Sequence, residues 1–423
     1  MGAYKTKKWE SALRDQLRNW IRKVNHLDIL VGIPCYNNED TIGYVVSTVG
    51  KGLAKYFPEL KSGILISDGG SLDDTREKSY EAEIPEGIER RVSIYRGVPG
   101  KGTSFRAVFE TAKLIKAEVC VVVDADLRSI TSEWVKQLAE PILENKVDFI
   151  APYYIRDKYD GTITNNIVYP LTRALYGIKI RQPIGGDFGF SSKLTKFYAT
   201  QDVWETDVAR FGIDIWMTTI ALNEGFRVGQ SYLGIKVHDS KDPATDLSSM
   251  FQHIISTLFY LMGIYEDKWK KTSHSQDPPN FYFSKEKVEP PAISVNLKKL
   301  HEEFLDGFKH FEPMYREILD WENFRCLRKI VREWKNGNKI NFSSSLWAKI
   351  LYDFAFIYQT WSRNRRRLVD IITPLYFGRV ASYCQEVKEA DYEKTEEIVE
   401  NQAKVFEELR PYLIKKFELW EEE

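Results

Sequence analysis

Apolar runs and helical stripes alternate along the first third of the chain. DILVGIP (28–34) reads as a strand, and Ile42, Val45, Val46 and Val49 then recur on one face of a helix. GILIS (63–67), VSIY (92–95), VCVVVD (119–124) and VDFIAPYY (147–154) read as further strands. A helix over 103–116, with Phe105, Val108, Phe109 and Ala112 on one face, precedes the fourth strand, and another follows it near 132–144. Such alternation predicts a parallel sheet with helices on both faces, whose ligands bind beyond the carboxyl ends of the strands. Ahead of this core, Trp9, Leu13, Leu17, Trp20 and Ile21 recur at helical spacing and predict an amphipathic helix over 4–24. Strand signals stop after about 245. Residues 246–266 read as helix, 271–292 as a polar, proline-bearing linker, and the rest as helices. Leu346, Ile350, Phe354, Ile357, Tyr358 and Trp361 form one apolar stripe there, and a charged helix from about 390 is expected to kink at Pro411. The expected division is an N-terminal helix (1–27), an α/β domain (28–270), a linker (271–292) and a helical C-terminal domain (293–423).

Composition narrows the function classes. The 423 residues are 43% hydrophobic and 29% charged, which supplies a sizeable core and excludes wholesale disorder. Sixty Lys and Arg against 61 Asp and Glu leave no global basic field for nucleic acid. The four cysteines are scattered without a CxxC pair, which argues against a disulfide scaffold or a cysteine zinc site. The charged N-terminus lacks the apolar stretch of a signal peptide, and no apolar run reaches the ~20 residues of a membrane span. A soluble cytoplasmic protein is the expectation.

Four segments carry candidate chemistry. VVVDADL (121–127) ends a strand in Asp-x-Asp, which places Asp124 and Asp126 on the same side of an extended segment. Two carboxylates aimed into one cleft repel unless a cation sits between them, and hard oxygen ligands suit Mg²⁺ or Mn²⁺. A bare Asp-x-Asp is also common in solvated turns. IPCYNNEDTI (33–42) puts Glu39 and Asp40 at a helix start, where ordinary capping explains them equally well. In SDGGSLDDT (67–75), Asp68 leads a tight turn that can reach a base or ribose edge, while Asp73 and Asp74 read as caps. PGKGTSFRA (99–107) places Lys101 between two glycines that would let the backbone approach a ligand closely. It lacks the spacing of a phosphate-binding loop of ATPases.

In this order and spacing the four segments resemble the nucleotide-binding half of a GT-A glycosyltransferase over residues 28–127. RQPIGGDFGF (181–190), RFGIDIWMTTIAL (210–222) and IKVHDS (235–240) narrow the likeness. They resemble the retaining synthases of mannosylglycerate, glucosylglycerate and glucosyl-3-phosphoglycerate, and the match spans roughly 28–260. The family's acid after Gly-Gly is usually Glu, whereas Asp187 stands here; its Leu before Gly-Gly is here Ile184. Asn38 and Glu39 stand where relatives carry two acidic residues, so donor base preference does not simply carry over.

The resemblance implies a Rossmann-like GT-A domain and a transfer of glucose or mannose from UDP-glucose or GDP-mannose to D-glycerate or 3-phosphoglycerate, with Mg²⁺ or Mn²⁺ as cofactor. It implies Asp126 and His238 as metal ligands, and Asp214 and Asp126 as catalytic residues. The nucleotide-sugar site would take in Pro34, Tyr36, Glu39, Asp68, Lys101 and Asp124. Gly185, Gly186, Asp187 and Arg156 would receive the acceptor, although Arg156 and Lys158 could equally be solvated loop cations. For Asp214 the competing role is a helix N-cap. Trp204, Trp216 and Tyr232 are expected to pack in the core. Rival readings are a glycosyltransferase acting on a polyprenyl phosphate or glycan, a nucleotidyltransferase, and a nucleotide-sugar binding module without turnover. The C-terminal helices suit either a dimer interface or a wall behind the acceptor site.

Overall fold

The computed structural model describes residues 10–238, 248–284, 289–335, 341–362 and 364–421. They form two compact units that interleave along the chain. One contains 1–155, 184–239 and 278–288, the other 156–183, 240–277 and 289–423. This grouping cuts across the expected linear division, since 156–183 and the segment from 240 group with the C-terminal helices.

The first unit is built on an eight-stranded sheet. Its strands are β1 (Ile29–Cys35), β2 (Ser62–Asp68), β3 (Glu89–Ile94), β4 (Val119–Val122), β5 (Phe149–Ile155), β6 (Phe188–Ser191), β7 (Val228–Ile235) and β8 (Asn280–Phe281), in the order β3-β2-β1-β4-β6-β5-β7-β8. Strands β1 to β4 are parallel; β1, β2 and β4 are fully buried, as their apolar runs predict, whereas β3 at the sheet edge buries only Val92. The sheet is mixed rather than wholly parallel. Four-residue β6 runs antiparallel to both β4 and β5, pairing Val122 with Phe188 and Phe149 with Phe190. Three strands carry no clear signal in the sequence. β6 and β8 are too short for a pattern, and glycines 229 and 234 interrupt the apolar positions of β7.

Helices α1 (Asp15–Val24), α2 (Ile42–Tyr56), α3 (Thr75–Glu81), α4 (Lys101–Leu114) and α5 (Ser132–Leu143) fall close to their predicted places, except α1. The expected start of α1 at residues 4–9 lies outside the described residues. Residues 10–14 are not helical, because the Glu110 carboxylate takes the Ser11 hydroxyl and the Ala12 N–H and fixes the turn before Asp15. Ile42, Val45, Val46 and Val49 of α2 and Trp134, Val135 and Leu138 of α5 join strand residues such as Val31, Ile64 and Val121 in one core cluster. A second aromatic cluster joins Phe105 and Phe109 of α4 to Phe190 and Tyr198, with ring centroids 5.2–5.9 Å apart. Trp204 and Trp216 pack against each other and are almost fully buried, as expected. The strand order turns back between β1 and β4. That switch point is where open α/β sheets bind ligands.

The second unit is helical, and the predicted break near Pro411 separates Tyr392–Glu408 from Arg410–Glu421. Buried arginines explain why 156–183 belongs to it. Arg173 pairs with Glu400 (2.6 Å) and Glu407 (3.1 Å), and Arg181 pairs with Glu396 (2.7 Å), all on the helix Tyr392–Glu408. Buried cations need such partners, and here the partners come from more than two hundred residues away. Among the described residues no helix is long and apolar enough to cross a membrane.

Candidate active site

The ends of β1 and β2 form a self-satisfied framework. Asp68 is fully buried, and its carboxylate accepts from the Gly70 and Ser71 N–H groups and the Ser71 hydroxyl (2.6 Å). The carboxylate expected at the nucleoside thus holds its own turn together. Glu39 is exposed and exchanges hydrogen bonds with the next loop, accepting from the Asp74 N–H (2.9 Å) while its own N–H donates to Asp73 (3.1 Å). Asn37 and Asn38 tie the same two loops together. Pro34 is buried within β1, opposite Ser67, and Tyr36 is 57% exposed at the strand end.

The Pro-Gly-Lys-Gly turn also departs from expectation. A Cβ on Gly102 would lie 1.8 Å from the Val208 carbonyl oxygen, and one on Gly100 2.5 Å from that of Ala209. Gly102 donates to the Arg210 carbonyl (3.0 Å). The close approach is thus to the chain's own 208–210 loop. Its consequence is positional, since it seats Lys101 as the first residue of α4 beside the helix Ile213–Asn223 that carries Asp214.

Lys101 is the first member of a chain of alternating charges. Its ammonium lies 2.8 Å from Asp124 Oδ1 and 3.1 Å from Asp214 Oδ2. The other Asp124 oxygen meets the Lys236 ammonium at 3.0 Å, and Lys236 also reaches Asp187 Oδ2 (2.8 Å) and the Gly185 carbonyl (2.7 Å). Asp187 Oδ1 accepts the Asp124 N–H (2.8 Å), and Asp187 Oδ2 accepts the Tyr154 hydroxyl. Topology makes this possible. Asp124 follows β4, Asp187 precedes β6, and antiparallel pairing of Val122 with Phe188 brings them side by side at one sheet edge. Lys236 follows β7 at that same edge, and Tyr154 projects from β5.

Electrostatics sort the carboxylates. Burial pushes the Asp124 carboxyl up, but the Lys101 and Lys236 ammoniums outweigh it and hold it well below the usual carboxylate range. Burial pulls the Lys101 ammonium down, yet Asp124 and Asp214 hold it above the usual lysine value. Asp187 and Asp214 are both raised, burial being the largest cause and the Asp124 charge adding to it, while Lys236 and Lys101 respectively oppose it. Asp214 is not an N-cap. Gly212 holds that position, and Asp214 Oδ1 is buried without a hydrogen-bond partner. An orphaned buried acceptor of this kind invites a ligand group.

Gly185 and Gly186 serve Asp124 and Lys236. Gly186 has φ +91°, and a Cβ there would lie 2.0 Å from Asp124 Oδ2. Asp187, expected at the acceptor, is fully buried beneath the cluster. Arg156 belongs to the second unit, where it faces Asp160 at 3.8 Å, and Lys158 donates to the Lys388 and Ala390 carbonyls.

Asp126 lies two residues beyond Asp124 and is half-buried. The backbone of the half-buried His238 bridges that of Leu127, next to Asp126, and the Arg128 N–H donates to the Val237 carbonyl (2.9 Å). Among the described residues no three His, Cys, Asp or Glu side chains gather as a closed metal site. One carboxylate and one imidazole on adjoining segments fit an open site that draws its other ligands from a diphosphate. Sequence reasoning missed Lys236 and Tyr154. The one available signal for Lys236 was a lysine set between Ile235 and Val237 at a strand end, two residues before His238.

Residues 30–204 match the profile of Glycosyl transferase family 2. The chain is 24% identical over 281 residues to the glucosyl-3-phosphoglycerate synthase of Mycolicibacterium smegmatis, covering 60% of this chain and 84% of the relative. Two solved structures of glucosyl-3-phosphoglycerate synthase from Mycobacterium tuberculosis are also similar. The complex with Mg²⁺ and uridine diphosphate is 20% identical with a TM-score of 0.45, over 60% of this chain and 86% of that one. The complex with Mn²⁺, UDP-glucose and phosphoglyceric acid is 18% identical with a TM-score of 0.44, over 62% and 86%.

Proposed function

We propose, from the premise that residues 30–204 form a glycosyl transferase family 2 domain and the chain is a glycosyltransferase, that it moves a hexose from a nucleotide sugar to D-glycerate or 3-phosphoglycerate with retention at the anomeric carbon. The observation that carries this reading is the Lys101–Asp124–Asp214 group at the carboxyl edge of the sheet, with one Asp214 oxygen unpartnered. The relative's name, glucosyl-3-phosphoglycerate synthase, supplies the acceptor class and favours glucose.

Asp126 and His238 would hold a divalent cation, which when bound neutralises charge on the departing diphosphate. Lys101 is one-fifth exposed and donates to the diphosphate oxygens from the α4 N-terminus. Asp214 accepts from a hydroxyl of the sugar or acceptor through Oδ1. The bond from C1 to the diphosphate oxygen breaks, and the acceptor hydroxyl bonds to C1 on the same face, passing its proton to the departing diphosphate. Gly185, Gly186 and Asp187 shape the floor on which this occurs. A glycosylated carboxylate trapped on the protein, or a β-linked product, would contradict front-face attack.

The test is nucleoside diphosphate release with Mg²⁺ or Mn²⁺, pairing UDP-glucose and GDP-mannose each with D-glycerate and 3-phosphoglycerate. Acceptor-dependent release with an α anomeric proton signal in one pairing is expected. Donor hydrolysis indifferent to all acceptors would discard the glycerate assignment, and tight donor binding without release would favour a binding module.

A further inference from the structure

The two lysines of the cluster touch the same carboxylate yet differ in every other respect. Lys236 is 3% exposed and has three fixed acceptors, Asp124, Asp187 and the Gly185 carbonyl, within 3.0 Å. Its stem also runs past Tyr154, with the ammonium 5.0 Å from the ring centroid. Lys101 is 19% exposed and has two carboxylate partners. A buried ammonium that saturates its donors on protein groups has no hydrogen to offer a substrate. An accessible one held by carboxylates alone can exchange one of them for phosphate oxygen.

We propose that Lys236 is a positioning residue which permanently clamps Asp124 to Asp187, so that Lys101 can leave Asp124 for the departing diphosphate without stranding a buried charge. The inference rests on the glycosyltransferase reading above. When Lys101 turns to the diphosphate, Asp124 would lose its Oδ1 partner in a largely dehydrated site, and such a loss is costly. Lys236 on Oδ2 keeps one ammonium on Asp124 throughout. The Gly185 carbonyl and the Asp187 bond to the Asp124 N–H fix the clamp to the backbone on both sides. Gly186 allows it, because any side chain there would enter the Asp124 carboxylate.

The experiment compares Lys236→Met, Lys236→Arg and Lys101→Met in the full chain, using the donor and acceptor pair that the wild type turns over. Donor affinity is read from uridine or guanosine diphosphate binding with Mn²⁺. Lys236→Met is expected to lose about 100-fold in kcat with less than 3-fold change in diphosphate affinity. Lys236→Arg should recover part of kcat, and Lys101→Met should lose diphosphate affinity by 10-fold or more. Should Lys236→Met fail to fold, Lys236→Met with Asp187→Asn removes both buried charges together; it is expected to fold and remain slow. Wild-type kcat in Lys236→Met, alone or with Asp187→Asn, or a loss of diphosphate affinity matching Lys101→Met, overturns the inference while leaving the transferase reading intact. A wild type that turns over no pairing removes that reading, and the inference falls with it.

Discussion

Two acidic loops sit at the same edge of the sheet and meet opposite fates. At the ends of β1 and β2, Asp68, Asp73 and Glu39 are satisfied by backbone N–H groups and hydroxyls a few residues away or on the facing loop. After β4, just before β6 and in the first turn of the helix Ile213–Asn223, Asp124, Asp187 and Asp214 are held by lysine ammoniums. A backbone donor is fixed to its fold and can do nothing else. An accessible ammonium can change partners. The first loop is consequently a frame, and the second is where charge can be rearranged during a reaction.

The comparison can be broken most sharply at Asp126. Asp126→Asn should lower acceptor-dependent turnover about 10²–10³-fold with an unchanged melting temperature, whereas Asp126 acting as a mere turn residue would leave turnover near wild type. Gly186→Ala comes next. A side chain at φ +91°, pressed into the Asp124 carboxylate, should cost about 1–3 kcal/mol and slow turnover by more than any stability loss explains. Asp68→Asn should destabilise the frame by about 1–3 kcal/mol in thermal or denaturant unfolding, yet change the KM for donor less than 3-fold. A large KM effect would return Asp68 to the nucleoside.

The smallest effect is a pH slope of opposite sign in the two loops. Burial works against Asp73, but its bonds to the Thr75 hydroxyl and N–H and to the Glu39 N–H win and lower its pKa. It therefore stabilises above its unfolded pKa of about 3.9, and that support is lost as pH falls through this range. Asp214 is raised, mainly by burial, so its ionisation costs stability as pH rises from about 3.9. Melting curves from pH 3 to 7 should show Asp73→Asn flattening the acid side and Asp214→Asn gaining relative stability toward neutrality. Parallel curves would erase the distinction.

Much of this was legible before folding was considered. Strands β1, β2 and β4 are short apolar runs, and Asp124, Lys101, Asp214 and Asp187 stand out in their motifs. Lys236 and Tyr154 do not, because their partnerships span long distances in sequence: Lys236 meets Asp124 112 residues away. That meeting depends on the reversal of β6, which four residues cannot announce. Asp68 is ambiguous in the sequence for a local reason. A Gly-Gly-Ser turn can open a carboxylate toward a ligand or fold back onto it, and only the backbone conformation decides. Arg156 stays open between acceptor and loop roles in the sequence, because the arginine pairs that tie 156–183 to the C-terminal helices join residues more than two hundred apart.

The most direct test of the central claim is the kcat of Asp214→Asn set beside its melting temperature at pH 7. The account predicts turnover reduced at least 100-fold in a protein as stable as the wild type or more so, because a buried, half-satisfied charge has been removed from a site that needs it. Wild-type turnover, or a loss of activity that merely tracks a loss of stability, would make Asp214 a structural acid and contradict the placement of the reaction at this cluster.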